Sequence, residues 1–183
     1  MIRLLTALWL ALIPLALAAQ EDESGPAPAP ELEPPMTLEA LGEIIAVLDP
    51  DAKTNGAAWQ MEVAGTTVLI ITDANADRMR AMAPIRESEG LSAEDLTRMM
   101  QANFDSALDA RYAIAQGRLW ATFIHPLSPL EKEEFISGLG QTINLAQSYG
   151  TLYSGGAMQF GGGDSAPIQR RLIDELLKKG QEI

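Results

Sequence analysis

The chain has no cysteine among its 183 residues. That one absence excludes disulfides, thiol nucleophiles, thiolate metal sites and the acylated cysteine of a bacterial lipoprotein. Histidine is nearly absent too: His125 stands alone, so a metal site built on two histidines is ruled out. Positive charge is scarce, with 13 Lys and Arg against 25 Asp and Glu, a net charge of −12 and a pI near 4.4. A chain this acidic repels a phosphate backbone, and no nucleic-acid partner is expected. Aromatics make up 5% of the residues. No G-x-S-x-G, H-E-x-x-H or P-loop motif occurs, so the common signatures of hydrolases, zinc peptidases and nucleotide-binding enzymes are missing. What remains is 47% hydrophobic and 21% charged, which suits one globular domain with appendages.

The N-terminus reads "MIRLLTALWLALIPLALAAQEDES". A basic start at Arg3 precedes an apolar run from Leu4 to Leu17, and Ala16 and Ala18 form an A-x-A arrangement. This is the layout of a secretory signal peptide, with cleavage expected after Ala18. The apolar run is shorter than the roughly 20 residues of a spanning helix, and Pro14 interrupts it. The expected location is therefore periplasmic or secreted. Residues 19–35 follow, mostly "QEDESGPAPAPELEPP". Acids and prolines with almost no large apolar groups cannot bury enough surface to offset ordering entropy, and the Ala-Pro alternation favours an extended spacer.

The folded core is expected over residues 36–150. In "TLEALGEIIAVLD" the helical spacing of Leu38, Leu41, Ile45 and Leu48 predicts a helix with Thr37 as N-cap and a stop at Asp49-Pro50. "AAWQMEV" alternates as a half-buried strand, Ala64-Gly65 suits a tight turn, and "TTVLIIT" reads as a more buried strand. "RMRAMAPIR" gives a third, weaker strand, which Pro84 would end or place at an edge. Ser92 and Asp95 have capping-box spacing ahead of a second helix. Its apolar positions are Leu96, Met99, Met100, Phe104, Ala107 and Leu108. Asn103 falls on or beside that face, where a backbone group nearby is the common partner for such a side chain. The Met99–Met100 pair is read as core or interface filler rather than as a copper site.

"ARYAIAQGRLWATFIH" (110–125) predicts two strands around a Gln116-Gly117 hairpin turn. His125 then ends a strand, Pro126 closes it, and the residue is read as structural or exposed. Ser128 as N-cap, Pro129 at the first helical position and Glu131 completing a capping box predict a third helix to about Tyr149. Glu131, Glu133 and Glu134 complement the positive end of that helix. Gly138 and Gly140 each cost about 1 kcal/mol against alanine in a helix, which predicts close backbone packing there, for instance against the sheet. Residues 151–165 form a Gly-rich linker. In 166–180, Ile168, Leu172, Ile173, Leu176 and Leu177 make an apolar stripe on a helix too short to stand alone. Docking on protein is favoured over a membrane surface, which Arg170, Arg171, Lys178 and Lys179 would otherwise serve.

The element order is α-β-β-β-α-β-β-α, an α+β class with an antiparallel sheet packed with helices. Residues 96–149 carry a resemblance: a helix with Asn103 near its end, the "ARYAI…GRLW" hairpin, and "PLS-L" opening a long final helix. In this order of elements and these turn residues the chain resembles the type III secretion chaperone-like family, which includes YbjN-domain and Tir-chaperone-type proteins. The resemblance implies a dimeric module that binds protein segments and is not an enzyme. The export signal departs from the cytoplasmic setting of secretion chaperones, so what carries over is a small protein-binding module.

The expected function is thus an exported, non-enzymatic binding module with a protein partner or a second copy of itself, and with no metal or cofactor. The competing reading is a periplasmic small-ligand-binding protein or a hydrolase using carboxylates or an arginine cluster. Strand alternation makes Arg78, Arg80 and Arg111 candidates for one sheet face, against the alternative of a solvated face paired with Glu62. These three, with Met99 and Met100, are the candidate partner-binding residues.

Overall fold

The computed structural model describes residues 33–105, 107–150 and 167–181, within one unit, Glu33–Ile183. The expected signal peptide, nearly all of the Pro-rich tether and the Gly-rich linker lie outside the described residues.

Helix α1 spans Leu38–Leu48, and Thr37 caps it by accepting the Ala40 N–H at 3.1 Å. Strands β1 (Lys53–Thr54), β2 (Ala58–Val63), β3 (Thr66–Asp73) and β4 (Arg78–Glu87) follow, then α2 (Ala93–Asp105). Strands β5 (Arg111–Ala115) and β6 (Arg118–His125) precede helices α3 (Lys132–Gln147) and α4 (Pro167–Gly180). One antiparallel sheet has the order β1-β2-β3-β4-β6-β5. The turns at Ala64-Gly65 and Gln116-Gly117 have positive φ at both residues (51° and 74°, 52° and 73°). That is the mirror-image turn whose twist matches flanking strands.

One sheet face is apolar and buried: Trp59, Met61 and Val63 of β2, Val68 and Ile70 of β3, Met79, Ala81 and Ala83 of β4, Leu119, Ala121 and Phe123 of β6. Helix α3 packs on this face. A Cβ added to Gly138 would stand 2.6 Å from the Phe123 ring, so only glycine lets the helix approach this closely. The expected close packing against the sheet is found there. Gly140 serves a different neighbour, since its Cβ would meet Ile173 of α4 at 2.7 Å. Helix α4 docks against α3 and α1 with Ile173 and Leu176 buried and Leu172 and Leu177 half-buried. The Lys179 ammonium donates to the Leu48 carbonyl at 2.8 Å, anchoring α4 to the end of α1. The expected docking on protein is what the structure shows. No described helix is long and apolar enough to cross a membrane.

Four expectations change. A two-residue strand, β1, pairs with β2 and makes the sheet six-stranded. Pro84 lies within β4, a central strand, and not at an edge. The β3–β4 ladder ends at Leu69–Met82, so no β3 residue stands opposite Pro84 to require its missing N–H, and the β4–β6 register shifts between Pro84 and Arg86. Ser128 does not cap α3. Its N–H and hydroxyl both donate to the Asp77 carboxylate, at 2.7 and 2.9 Å, and residues 127–130 form a turn closed by Leu130 N–H to Leu127 O. The capping box belongs instead to Glu131 and Glu134, so α3 begins at Lys132 rather than Pro129. Finally, α2 buries Met99 and Ala102 while leaving Leu96, Met100, Phe104 and Leu108 largely exposed.

Candidate functional site

The sheet face opposite α3 has no described helix packed on it: α2 contacts β5, and α1 and α4 lie on the α3 side. Register fixes which residues share this open face. Ala58, Ile71, Arg80 and Ile124 form one cross-strand row, and Gln60, Leu69, Met82, Thr122 and Arg111 form the next. Pro84, Trp120 and Ala113 form a third. Arg78 stands opposite Asp73 on the same face. The expectation that Arg78, Arg80 and Arg111 share a face therefore holds. Ile71 and Ile124 are 46% and 53% exposed on either side of Arg80.

None of the three arginines forms an ion pair with a described carboxylate. Arg78 donates to the Asp77 carbonyl and Arg111 to the Ala110 carbonyl. The acids of this face are otherwise engaged. Glu62, the alternative partner, accepts the Thr67 hydroxyl, Asp73 accepts the N–H groups of Asn75 and Ala76, and Glu87 pairs with Arg118. One cation had no signal in the sequence. Lys53 of β1 shares this face through Gln60 and lines a shallow groove of about 310 Å³ with Leu69 and Ile71. A two-residue strand has no periodicity to reveal it.

A second surface lies at the β5 edge. Leu96, Met100 and Phe104 recur every four residues along α2, with Met100 58% and Phe104 68% exposed. Leu108, just beyond the helix, and Ile114 of β5 are also about half exposed. Of the methionine pair, Met99 is 2% exposed and belongs to the core, so only Met100 is available to a partner. Asn103 meets a backbone group, as expected: its Nδ2 donates to the Tyr112 carbonyl at 3.1 Å and its Oδ1 accepts the Tyr112 N–H at 2.7 Å. The side chain imitates a neighbouring strand for one residue of the sheet edge. Gln141, which the sequence did not mark, holds the α2–β5 connection by accepting the N–H groups of Asp109 and Ala110.

His125 ends β6. Its ring stacks on Phe123 at 5.8 Å, its Nδ1 lies 2.8 Å from the Pro126 carbonyl, and its Nε2 is 4.0 Å from Glu134. It borders an open cavity of about 680 Å³ lined by Asp109, Arg111, Thr122, Glu133 and Ser137 among others. The buried Thr122 hydroxyl has no hydrogen-bond partner among the described residues. No three His, Asp or Glu residues come together to hold a metal among the described residues. Among the described residues, Asp77 and Asp95 are the carboxyls held below the usual range, each mainly because a serine, Ser128 or Ser92, donates its backbone N–H and its hydroxyl to the ionised form. Both are structural pins rather than parts of a reacting pair.

No protein-family model matches the chain, and no curated protein does. Similar solved structures include two complexes. A chain of the ExsC–ExsE complex has a TM-score of 0.50 at 13% identity, over 64% of this chain and 96% of that one. A chain of the HopA1–SchA chaperone–effector complex has a TM-score of 0.44 at 8% identity, over 52% and 77%. The ExsC–ExsE match shows a shared fold over that part of the chain, and the resemblance carried by residues 96–149 is borne out at the level of fold.

Proposed function

We propose that the chain is an exported, non-enzymatic protein-binding module of the YbjN and Tir-chaperone type. It acts as a homodimer in the periplasm or outside the cell after loss of residues 1–18. The observation that carries this reading is the apolar surface of Leu96, Met100, Phe104, Leu108 and Ile114 at the sheet edge. Fully burying one such side chain is worth about 1.5–3 kcal/mol, so covering one that is already half-buried gains about 1 kcal/mol. A single copy offers about 5 kcal/mol gross, near the low end of the ~4–15 kcal/mol that association costs. A twofold contact presents the patch twice and doubles the gain, which favours a second copy as its occupant. Sedimentation tests this: the mature protein should be a dimer and Phe104→Glu a folded monomer. A monomeric wild type would refute the dimer. Mass spectrometry of the exported protein should find Ala19, or a residue beside it, at the N-terminus, and intact residues 1–18 would refute export.

The cavity beside His125 favours a second reading, a small-ligand protein using Arg111 and the carboxylates of Asp109 and Glu133. A thermal shift with small charged ligands that Arg111→Gln abolishes would establish it.

A further inference from the structure

The open sheet face combines two properties seldom found together on a solvent-facing surface. It is apolar at its centre, with Leu69, Ile71, Met82, Pro84, Trp120 and Ile124 exposed or half-buried. It is also cationic at its margins, in a chain whose net charge is −12. Lys53 lies at the β1 end, Arg78 at the start of β4 and Arg111 on β5, while Arg80 stands between Ile71 and Ile124. Glu62 and Asp73 accept from neutral donors and keep their charges, and Glu87 pairs with Arg118, so Lys53, Arg78, Arg80, Arg111 and Arg118 stand against Glu62, Asp73 and Glu87 and the face is net cationic. A solvated sheet face ordinarily carries polar side chains in alternation with the buried ones. This one leaves large aliphatic groups in water, and Arg78, Arg80 and Arg111 form no ion pair with a described carboxylate.

We propose that this face receives an acidic amphipathic helix from a partner protein. The inference rests on the protein-binding reading and names the chemistry of the partner. The dimensions fit. Ile71 and Ile124 are two strands apart, about 10 Å, close to the diameter of a helix with its side chains. Successive same-face rows along a strand are about 7 Å apart, so the three rows span about 14 Å, close to the ~10–12 Å covered by positions i, i+4 and i+7 of a helix. Apolar residues at those positions meet the isoleucine, leucine–methionine and proline–tryptophan rows. Glutamates or aspartates flanking the stripe meet Lys53 on one side and Arg111 on the other, and one at the helix end beyond the isoleucine row meets Arg78. A basic helix would place its charges against these cations. A second copy of this acidic chain has no described apolar helix face left for the role, because α1, α3 and α4 turn theirs to their own core and the α2 stripe serves the dimer.

The test uses the full mature chain with isoleucine methyls labelled for NMR. The probe is a 14-residue capped peptide with leucine at positions 2, 6, 9 and 13 and glutamate elsewhere. The control replaces every glutamate with lysine. The acidic peptide should shift the Ile71 and Ile124 methyls and leave Ile114 unmoved. Its affinity should fall as salt rises and drop at least tenfold in Arg80→Glu and in Ile124→Gln. The lysine peptide, whatever it meets on the acidic remainder of the chain, should leave the Ile71 and Ile124 methyls unmoved. Equal shifts of Ile71 and Ile124 by the two peptides, shifts confined to Ile114, or indifference to both substitutions would overturn the proposal. So would concentration-dependent shifts of Ile71 and Ile124 without peptide, which would show that a second copy covers the face. Sedimentation of the same samples reports the α2 dimer separately, so failure of the dimer and failure of this site are distinguishable.

Discussion

The same substitution, glycine to alanine, is expected to act with opposite sign at two helical positions. In a helix interior alanine is better than glycine by about 1 kcal/mol, mainly because it restricts the unfolded chain. Gly42 is central in α1, and its added Cβ would rest 3.6 Å from the Trp59 ring, an ordinary contact. Gly42→Ala should collect the whole propensity gain, about 1 kcal/mol of extra stability. Gly138 has the same gain available in α3, but its Cβ would stand 2.6–2.8 Å from three atoms of the Phe123 ring. Carbon atoms settle near 3.5–4.0 Å, so helix and sheet must part by about 1 Å or the ring must leave its rotamer. Overpacking of this kind costs about 1–3 kcal/mol, and the expected net loss is up to about 2 kcal/mol. Urea unfolding reads both changes as midpoint shifts of opposite direction at unchanged slope. Adding Phe123→Leu should relieve the clash, so the double mutant should lose less than the sum of the single losses. If Gly138→Ala is as stable as Gly42→Ala, α3 does not approach the sheet at Phe123 and the account of the core is wrong.

Ile173→Ala in α4 should cost about 2–5 kcal/mol and increase binding of a hydrophobic dye, as should deletion of residues 166–183; an unchanged melting profile would mean α4 is not docked. Asp77 has its carboxyl pKa lowered by Ser128, so its contribution is present above the unfolded carboxyl value and disappears as pH falls through the lower folded one. Asp77→Asn should therefore reduce the urea midpoint at neutral pH and leave it near wild type in strong acid, and a difference that does not depend on pH would refute the ionic part of the contact. His125→Gln should change the unfolding free energy by less than about 0.5 kcal/mol, and inductively coupled plasma analysis should find no stoichiometric zinc or copper that the change removes.

The elements legible in the sequence are those whose signals are local. Thr37 before an apolar run, Ser92 with Asp95, and Gln116-Gly117 between alternating segments each specify a cap or turn within a few residues, and each stands where expected. The shared face of Arg78, Arg80 and Arg111 followed from period-two alternation. Misplaced features depended on distant partners. Ser128 has good capping chemistry, but Asp77, 51 residues away, takes its donors. Pro84 reads as an edge residue because nothing local reveals where the β3 ladder stops. Helix α2 has two adjacent apolar stripes, one through Leu96, Met100 and Phe104 and one through Met99 and Ala102. Periodicity cannot say which of them turns inward, and that choice separates a core helix from an interface helix.

The hydrogen bonds from Asn103 to Tyr112 bear on how the protein behaves at high concentration. An exposed strand edge is a template on which identical chains can add one after another into fibrils. With both backbone groups of Tyr112 occupied by one side chain, that position of the β5 edge is closed to a newcomer. At the other margin, β1 is only two residues long. Edge-to-edge pairing is thereby restricted at both margins, which favours association through side-chain surfaces that can close on themselves after two copies. Asn103→Leu would leave α2 helical but expose the Tyr112 backbone, turning a protein able to stop at a finite assembly into one open to unlimited polymerisation.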